Sequence, residues 1–506
     1  MAIAKRAVSQ PISVPAPIGG WNARDSLTAM QPGDAVILEN FYPATTECVV
    51  RNGYSKHATG LPGQVETIMA YSGGSSDKLF AVSDGSIYDV TSGGIVGLPE
   101  VAGLSNSRLN YCNIATSGGN FLSAANGEDT PILYNGSTWT NAVITGVTST
   151  NLKSPILYAE RQFFIEKDTL KTWYLPVDSI NGAAEKIDIA SIATKGGYIV
   201  AHGTWTVDAG QGVNDHYVIM TNRGQVIVYQ GTDPAQADKW SLVGVWDIGA
   251  PIGERSLYKY AGDMLIICQD GLVPLSGALQ SSRVQPRVAL SDKIQYAISA
   301  AVTEYGANFG WQVMYVPTIN QLWLNVPVKE YSNQQQFVMN TITGAWCNYT
   351  GWNANCMEMY HDEPYWGGDG FVAHAYNTTK DDGANINALA LQAFNNFGSA
   401  GTLKRFTMSR PIFRTDGTPT IYAGINVDFN IEVPTTSITY RPVNYGQWAA
   451  GRWDAAIYGG ALNVVQNWQG LNGVGYYGAP IVKTASSGIQ VHWVSTDIVI
   501  EGGAIL

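Results

Sequence analysis

The sequence predicts an all-β chain, a β-propeller of about six to eight blades followed by a C-terminal β-rich domain. Three observations predict it. Short apolar runs joined by polar turns recur through the middle, as in "KLFAVSDGSIYDV" (78–90), "NFLSAANGEDTPILYNG" (120–136), "RQFFIEKDTLKTWYL" (161–175), "HYVIMTNRGQVIVYQG" (216–231) and "DMLIICQDGLVPL" (263–275). Asp-Gly or Asn-Gly between two such runs supplies the positive φ angles of a tight hairpin. The runs are spaced like blades: Leu79, Phe121 and Phe163 lie 42 residues apart, and later units follow at roughly 40 to 60 residues. Composition agrees, since only 14% of 506 residues are charged while 55 are Gly, 27 Tyr and 15 Trp, a balance that favours turns and aromatic strands over helices.

The N-terminal region, residues 1–60, reads as an arm with the first strands. Gly19 and Gly20 permit a tight turn, and Pro32, Gly33 and Asp34 form a second turn capping a short helical segment through Val36 and Leu38. "CVVRNGYSKHA" (48–58) reads as a strand with an Asn-Gly turn. The propeller-like repeats occupy 61–384, and after the polar stretch "NTTKDDGAN" (377–385) a C-terminal β-rich domain fills 385–506. There "INVDFNIEV" (425–433) alternates strictly, the period of a half-buried strand, and "QVHWVSTDIVI" (490–500) reads as another. No long helix is expected anywhere.

The net charge of −11 argues against a protein that grips nucleic acid, though not against one that DNA slides past. Five dispersed cysteines without a C-x-x-C pair read as reduced, buried thiols. The N-terminus lacks an apolar signal core, and no uninterrupted apolar run approaches 18 residues, so no secretory signal or membrane anchor is expected.

Candidate chemistry is sparse. "GLNGVGYYG" (470–478) and "GQGVND" (210–215) contain glycines but no strand-to-helix context for a phosphate loop, and they read as turn glycines. The six histidines never form an i, i+4 pair; "HDEP" (361–364) reads as a surface turn, and His492 as lying on the second face of its strand. Asp84, Asp270, Asp369 and Asp416 each precede a glycine, the turn role of Asp. Neither a sialidase Ser-x-Asp box nor a Gly-x-Ser-x-Gly elbow is present, so no catalytic residue, metal ligand or cofactor is expected. One basic cluster, Lys404, Arg405, Arg410 and Arg414 in "LKRFTMSRPIFR", reads either as an exposed strand with scattered salt bridges or as a contact for a phosphate backbone or a partner's carboxylates, an acidic neighbouring subunit above all if a partner binds there.

Four stretches carry a resemblance. "GGWNARDSLTAM-QPGDAVILENFYP…VVRNGY", "TITGAWCNYTGWNANC" (341–356) with "YWGGDGFV" (365–372), "FGSAGTLKRFTMSRPIF…INVDF" (397–429) and "WAAGRWDAAIYGG…NWQGLNGVGYYG…HWVSTDIVIEGG" (448–503) resemble the tail nozzle, or tail tubular, family of short-tailed bacteriophages, which includes packaged-DNA stabilisation proteins. The resemblance implies a β-propeller with an added platform, six copies in a ring beneath the portal adaptor, tail fibre or needle proteins beside or below it, and a virion location. Such a nozzle retains packaged DNA and conducts it during ejection, with no covalent chemistry. Six copies of a −11 chain sum to −66, and an acidic tube repels the DNA backbone, within about 8 Å at physiological salt. The residues expected to matter are architectural: Gly19, Gly20, Trp21, Asn22 and Asp25 in the arm, and Trp346 and Trp352 in a late blade. The rival expectations are a propeller that binds glycans or hydrolyses glycosides, its Trp and Tyr stacking on sugars, and an adhesin outside the channel.

Overall fold

A computed structural model describes residues 9–74, 76–208, 213–279, 289–435, 437–438 and 462–503. Seven antiparallel meanders follow one another. Blade 1 takes the second half of Gly53–Tyr71, then Lys78–Ser83 and Ser86–Asp89; blade 2 takes Asn110–Thr116, Gly119–Ala125, Ile132–Tyr134 and Trp139–Asn141. Blade 3 takes Leu152–Tyr158, Arg161–Glu166, Lys171–Tyr174 and Glu185–Asp188; blade 4 takes Ile199–Asp208, Val213–Thr221, Gln225–Gly231 and Trp240–Asp247. Blade 5 has three strands, Leu257–Tyr260, Asp263–Cys268 and Gly271–Pro274. Blade 6 has Gln312–Val316, Gln321–Lys329, Asn333–Asn340 and Trp346–Tyr349; blade 7 has Cys356–Tyr360, Glu363–Gly367 and Asp369–Thr378.

The fourth strand of blade 7 is the first half of Gly53–Tyr71, whose second half opens blade 1, so one strand of 19 residues closes the ring. The first strands of successive blades lie side by side, and the last meets the first. This cyclic order makes the fold a β-propeller. The expected boundary at 60 falls inside the closing strand, which bends at Gly60, where φ is +85°.

The local readings follow their physical cause. Asp84 and Gly85 have φ of +47° and +66°, the two left-handed residues of a type I′ hairpin. Leu79, Phe121 and Phe163 lie in the second strands of blades 1, 2 and 3, so the 42-residue spacing is the distance from blade to blade.

Beside blades 6 and 7 lies a platform of two layers. In one, Lys404–Thr415 and Val491–Gly502 pair antiparallel at the centre, flanked by Asn463–Gln466 and Gln469–Gly475 on one side and by Ser9–Pro15, Cys48–Val50 and Phe41–Pro43 on the other. In the other, Asp34–Glu39, Ile386–Gln392, Gly478–Ser486 and Thr420–Val427 extend the sheet of blade 6 through Glu39 opposite Asn348. The arm is therefore woven into the C-terminal sheet: Ser9 faces Glu501 and Pro15 faces Ser495. One core joins both parts, with Phe41, Phe413 and Trp493 of the platform packed in the same cluster as Trp323, Trp352 and Trp366 of the propeller.

Four expectations are corrected. Asp34–Glu39 is a strand, not a capped helical turn, because it pairs with Ile386–Gln392. The strand expected over 425–433 stops at Val427; Asp428 and Phe429 are left-handed, the Asp428 carboxylate accepting the Tyr476 and Tyr477 N–H groups at 2.8 Å while Phe429 packs on Phe394 and Tyr477. A helix of 11 residues, Gln295–Tyr305, follows blade 5. The glycines of "GLNGVGYYG" are not mainly turn formers, since a Cβ at Gly473 or Gly475 would meet Val427 at 2.8 or 2.1 Å. Residues 210–212 and 448–460, parts of two stretches singled out above, lie outside the described residues. Among the described residues no helix is long and apolar enough to cross a membrane.

Candidate functional site

The arm residues meet the propeller at one node. Gly20 adopts φ +83°, and a Cβ there would lie 2.7 Å from the backbone N and O of Trp346; only glycine permits that approach. Trp21 then packs edge-on against Phe337, ring centroids 5.2 Å apart. Asn22 is buried: its Oδ1 accepts the Arg24 and Asp25 N–H groups, and its Nδ2 donates to Asp25 at 2.9 Å and to Asp34 at 2.8 Å. The buried Asp34 carboxylate needs a compensating charge. Lys293, just before the helix Gln295–Tyr305, supplies it at 2.6 Å and also donates to the Gly19 carbonyl. Arg24 bridges Asp25 and Asp292, and hydrogen bonds from Arg24 and then Asn22 hold the Asp25 carboxyl down at about 2.

A second node lies between the arm, blade 6 and the segment after blade 7. Arg51, 2% exposed, forks onto Asp381 at 2.8 and 2.7 Å and donates to Asn40 Oδ1 and the Thr350 carbonyl. Its guanidinium stacks over Trp352 at 4.6 Å, and the Trp352 Nε1–H donates to Asp381 at 3.0 Å. Trp346, fully buried, donates to the Leu290 carbonyl. Sequence reading missed Arg51; a lone cation ending the apolar run "CVV" was the available signal.

The basic cluster is not one surface. Lys404 is buried, its Nζ donating to the carbonyls of Ser399, Thr402 and Tyr476, and burial lowers its pKa. Arg410 pairs with Asp497 and stacks on Trp468, and Arg414 pairs with Glu47, which also bonds His492. Arg405 alone of the four is exposed without a described partner. Lys404 is thus a structural cation, and Arg410 and Arg414 are neutralised within the chain. All five cysteines are free thiols, four buried and Cys112 half-buried.

The propeller axis holds a cavity of about 450 Å³ lined by polar side chains from every blade or the segment leading into it, among them Thr67, Tyr111, Ser154, His202, Arg255, Gln312 and Glu358. These groups stitch neighbours together. Gln312 exchanges two hydrogen bonds with the Met357 backbone, Tyr111 accepts the Ala70 N–H, and Arg255 donates to Thr67 and the Glu66 carbonyl. Burial holds the His202 imidazole down at about 4, with its ring nitrogens on Tyr217 and Ser154. Burial also pushes the Glu358 carboxyl up to about 7, against hydrogen bonds from Tyr111 and the Met359 N–H. Phe309 lies under Arg108 and Arg255, 4.2 and 5.3 Å from their guanidinium carbons, beside a second cavity of about 360 Å³. Among the described residues no three His, Cys, Asp or Glu side chains gather as a metal site.

Between about 4.5 and about 7 the folded chain keeps a proton on Glu358 that the unfolded chain has lost. That contribution to stability is full below about 4.5 and is lost as pH rises through 7. His202 acts oppositely, stabilising above about 6.5 and losing this as pH falls toward 4. Glu358→Gln removes only the first effect. The difference in urea midpoint between wild type and variant is therefore expected to change steadily from pH 5 to 8; a constant difference would show an unshifted carboxyl.

No protein-family model and no curated protein matches the chain. Among solved structures it is similar to BBS1N in complex with ARL6DN (10% identity, 65% of this chain and 99% of that chain, TM-score 0.40). It is also similar to the Cps50 (Swd1) β-propeller domain of Myceliophteria thermophila (13% identity, 63% and 100%, TM-score 0.37) and to the computationally designed Ika8 protein (11%, 64% and 99%, TM-score 0.37). Likeness this loose adds nothing to the strand order and ring closure, which by themselves make this an all-β protein built on a β-propeller.

Proposed function

We propose that this chain is a structural tail nozzle protein of a short-tailed bacteriophage, assembled as a hexameric ring below the portal adaptor, retaining packaged DNA and conducting it at ejection. One observation carries the reading. The stretches that resemble the nozzle family are scattered along the sequence, yet their described parts fold into one contiguous region, the platform with blades 6 and 7. Blades 2 to 5 hold none of them. The axial cavity, about 450 Å³ and crossed by side-chain stitches, has no room for a duplex, so the conduit of this reading runs between copies and not through one propeller. Tail fibre or needle proteins would attach at its side or tip, and no step of the reading needs a cofactor or covalent chemistry.

Electron microscopy of phage particles carrying this chain, gold-labelled with an antibody against it, tests the reading. Label at the axial tail tip is expected; label on peripheral fibres, or none, would overturn it in favour of a glycan-binding or glycoside-cleaving propeller. The arm node gives a further prediction: Trp21→Ala or Asn22→Ala is expected to lower the yield of rings in negative-stain images, because the arm then docks loosely. A variant that assembles and packages normally would remove the arm from that role.

A further inference from the structure

The outer strands of six blades are protected, each in its own way. In blade 1, Val101 bridges Ile87; in blade 2, Trp139–Asn141 is only three residues long; in blade 3, the outer strand carries Glu185, Lys186 and Asp188. In blade 5, Leu290 donates to the Leu272 carbonyl and Ser291 accepts the Leu272 N–H. Blade 6 runs on into the platform, and the outer half-strand of blade 7 is flanked by Gly94–Ile95. Short edges, charges and covers are the standard devices that keep a sheet from recruiting a foreign strand.

Blade 4 lacks them among the described residues. Its outer strand, Trp240–Asp247, reads "WSLVGVWD": eight residues, no charge before Asp247, no proline, and no strand on its free side. Leu242, Val243 and Val245 are 43%, 46% and 37% exposed. The one interruption is a register shift at Val243, which bends the edge without charging it. Asp247, at the strand's end, is already paired with Lys195 at 3.0 Å.

We propose that this edge takes up an extended, uncharged peptide segment of a partner chain as a fifth strand of blade 4. Backbone N–H and C=O groups would supply the hydrogen bonds, and Leu242, Val243 and Val245 would meet alternate apolar side chains of the guest. A second copy of this chain is the poorer occupant. The edge is roughly 26 Å long, and one strand's width of contact falls short of the about 800 Å² per partner that stable dimers bury. A flexible segment has no second rigid surface to accommodate, and an uncharged strand selects an uncharged guest. The inference does not depend on the tail reading.

The test uses the full chain and an eight-residue peptide of alternating valine and threonine, amidated at its C-terminus and carrying fluorescein on its N-terminus through a glycine spacer. Saturable binding by fluorescence anisotropy is expected, with slowed amide exchange confined to Trp240–Trp246. The double variant Leu242→Lys with Val245→Lys is expected to bind about tenfold more weakly or worse, with an unchanged melting temperature because both side chains face water. Binding without protection of this strand, equal binding by the variant, or no binding would overturn the proposal. So would concentration-dependent dimerisation that the same variant abolishes, which would assign the edge to a second copy.

Discussion

Arg51→Leu is expected to destabilise the chain by about 3–5 kcal/mol, since removing one partner of a buried ion pair strands the other. Asp381 would keep the Trp352 indole N–H but lose the forked guanidinium, and Asn40 and the Thr350 carbonyl would lose a donor. Lysine is no substitute, because a point charge cannot reach the carboxylate, the amide and the carbonyl together. The check is the urea midpoint of Arg51→Leu and Arg51→Lys against wild type. A lysine variant as stable as wild type would mean that charge alone, and not the planar fork, holds the arm to blade 6.

Trp346→Ala is expected to cost about 3–5 kcal/mol, the range for truncating a fully buried aromatic. This indole joins three elements: its backbone meets Gly20, its ring fills the cluster with Phe337 and Ile298, and its Nε1–H satisfies the Leu290 carbonyl. Trp346→Phe should recover most of the packing while leaving that carbonyl unpaired. Equal loss in both variants, measured by urea unfolding, would assign the effect to the hydrogen bond and not to the buried volume.

What was legible in the sequence is what local chemistry determines. Asp84-Gly85 announces its hairpin because both residues tolerate positive φ, and the blade spacing is visible because each second strand needs an apolar run. The helix Gln295–Tyr305 stayed hidden, since "QYAISAAVTEY" has no capping side chain and its buried residues, Ile298, Ala301 and Val302, mark only a narrow stripe. Phe429 gives no local sign of a left-handed backbone; contacts with Phe394 and Tyr477 impose it. The candidate site was the least legible part. Lys404 looked like surface charge because its three carbonyl partners come together only in the folded platform. Glu358 sits in "CMEMY" as one carboxyl in an apolar strand, and the axis that receives it is built from all seven blades.

The strand Gly53–Tyr71, shared by the first and last blades, makes the order of synthesis matter. Its first half leaves the ribosome roughly 300 residues before its partner Asp369–Thr378, a wait of about 15–60 s at common elongation rates. Ser9–Pro15 waits longer still for Val491–Gly502. Throughout that interval the nascent chain carries open N–H and C=O groups that any passing strand can engage. A stall anywhere between blades 1 and 7 therefore leaves an open arc, not a smaller propeller.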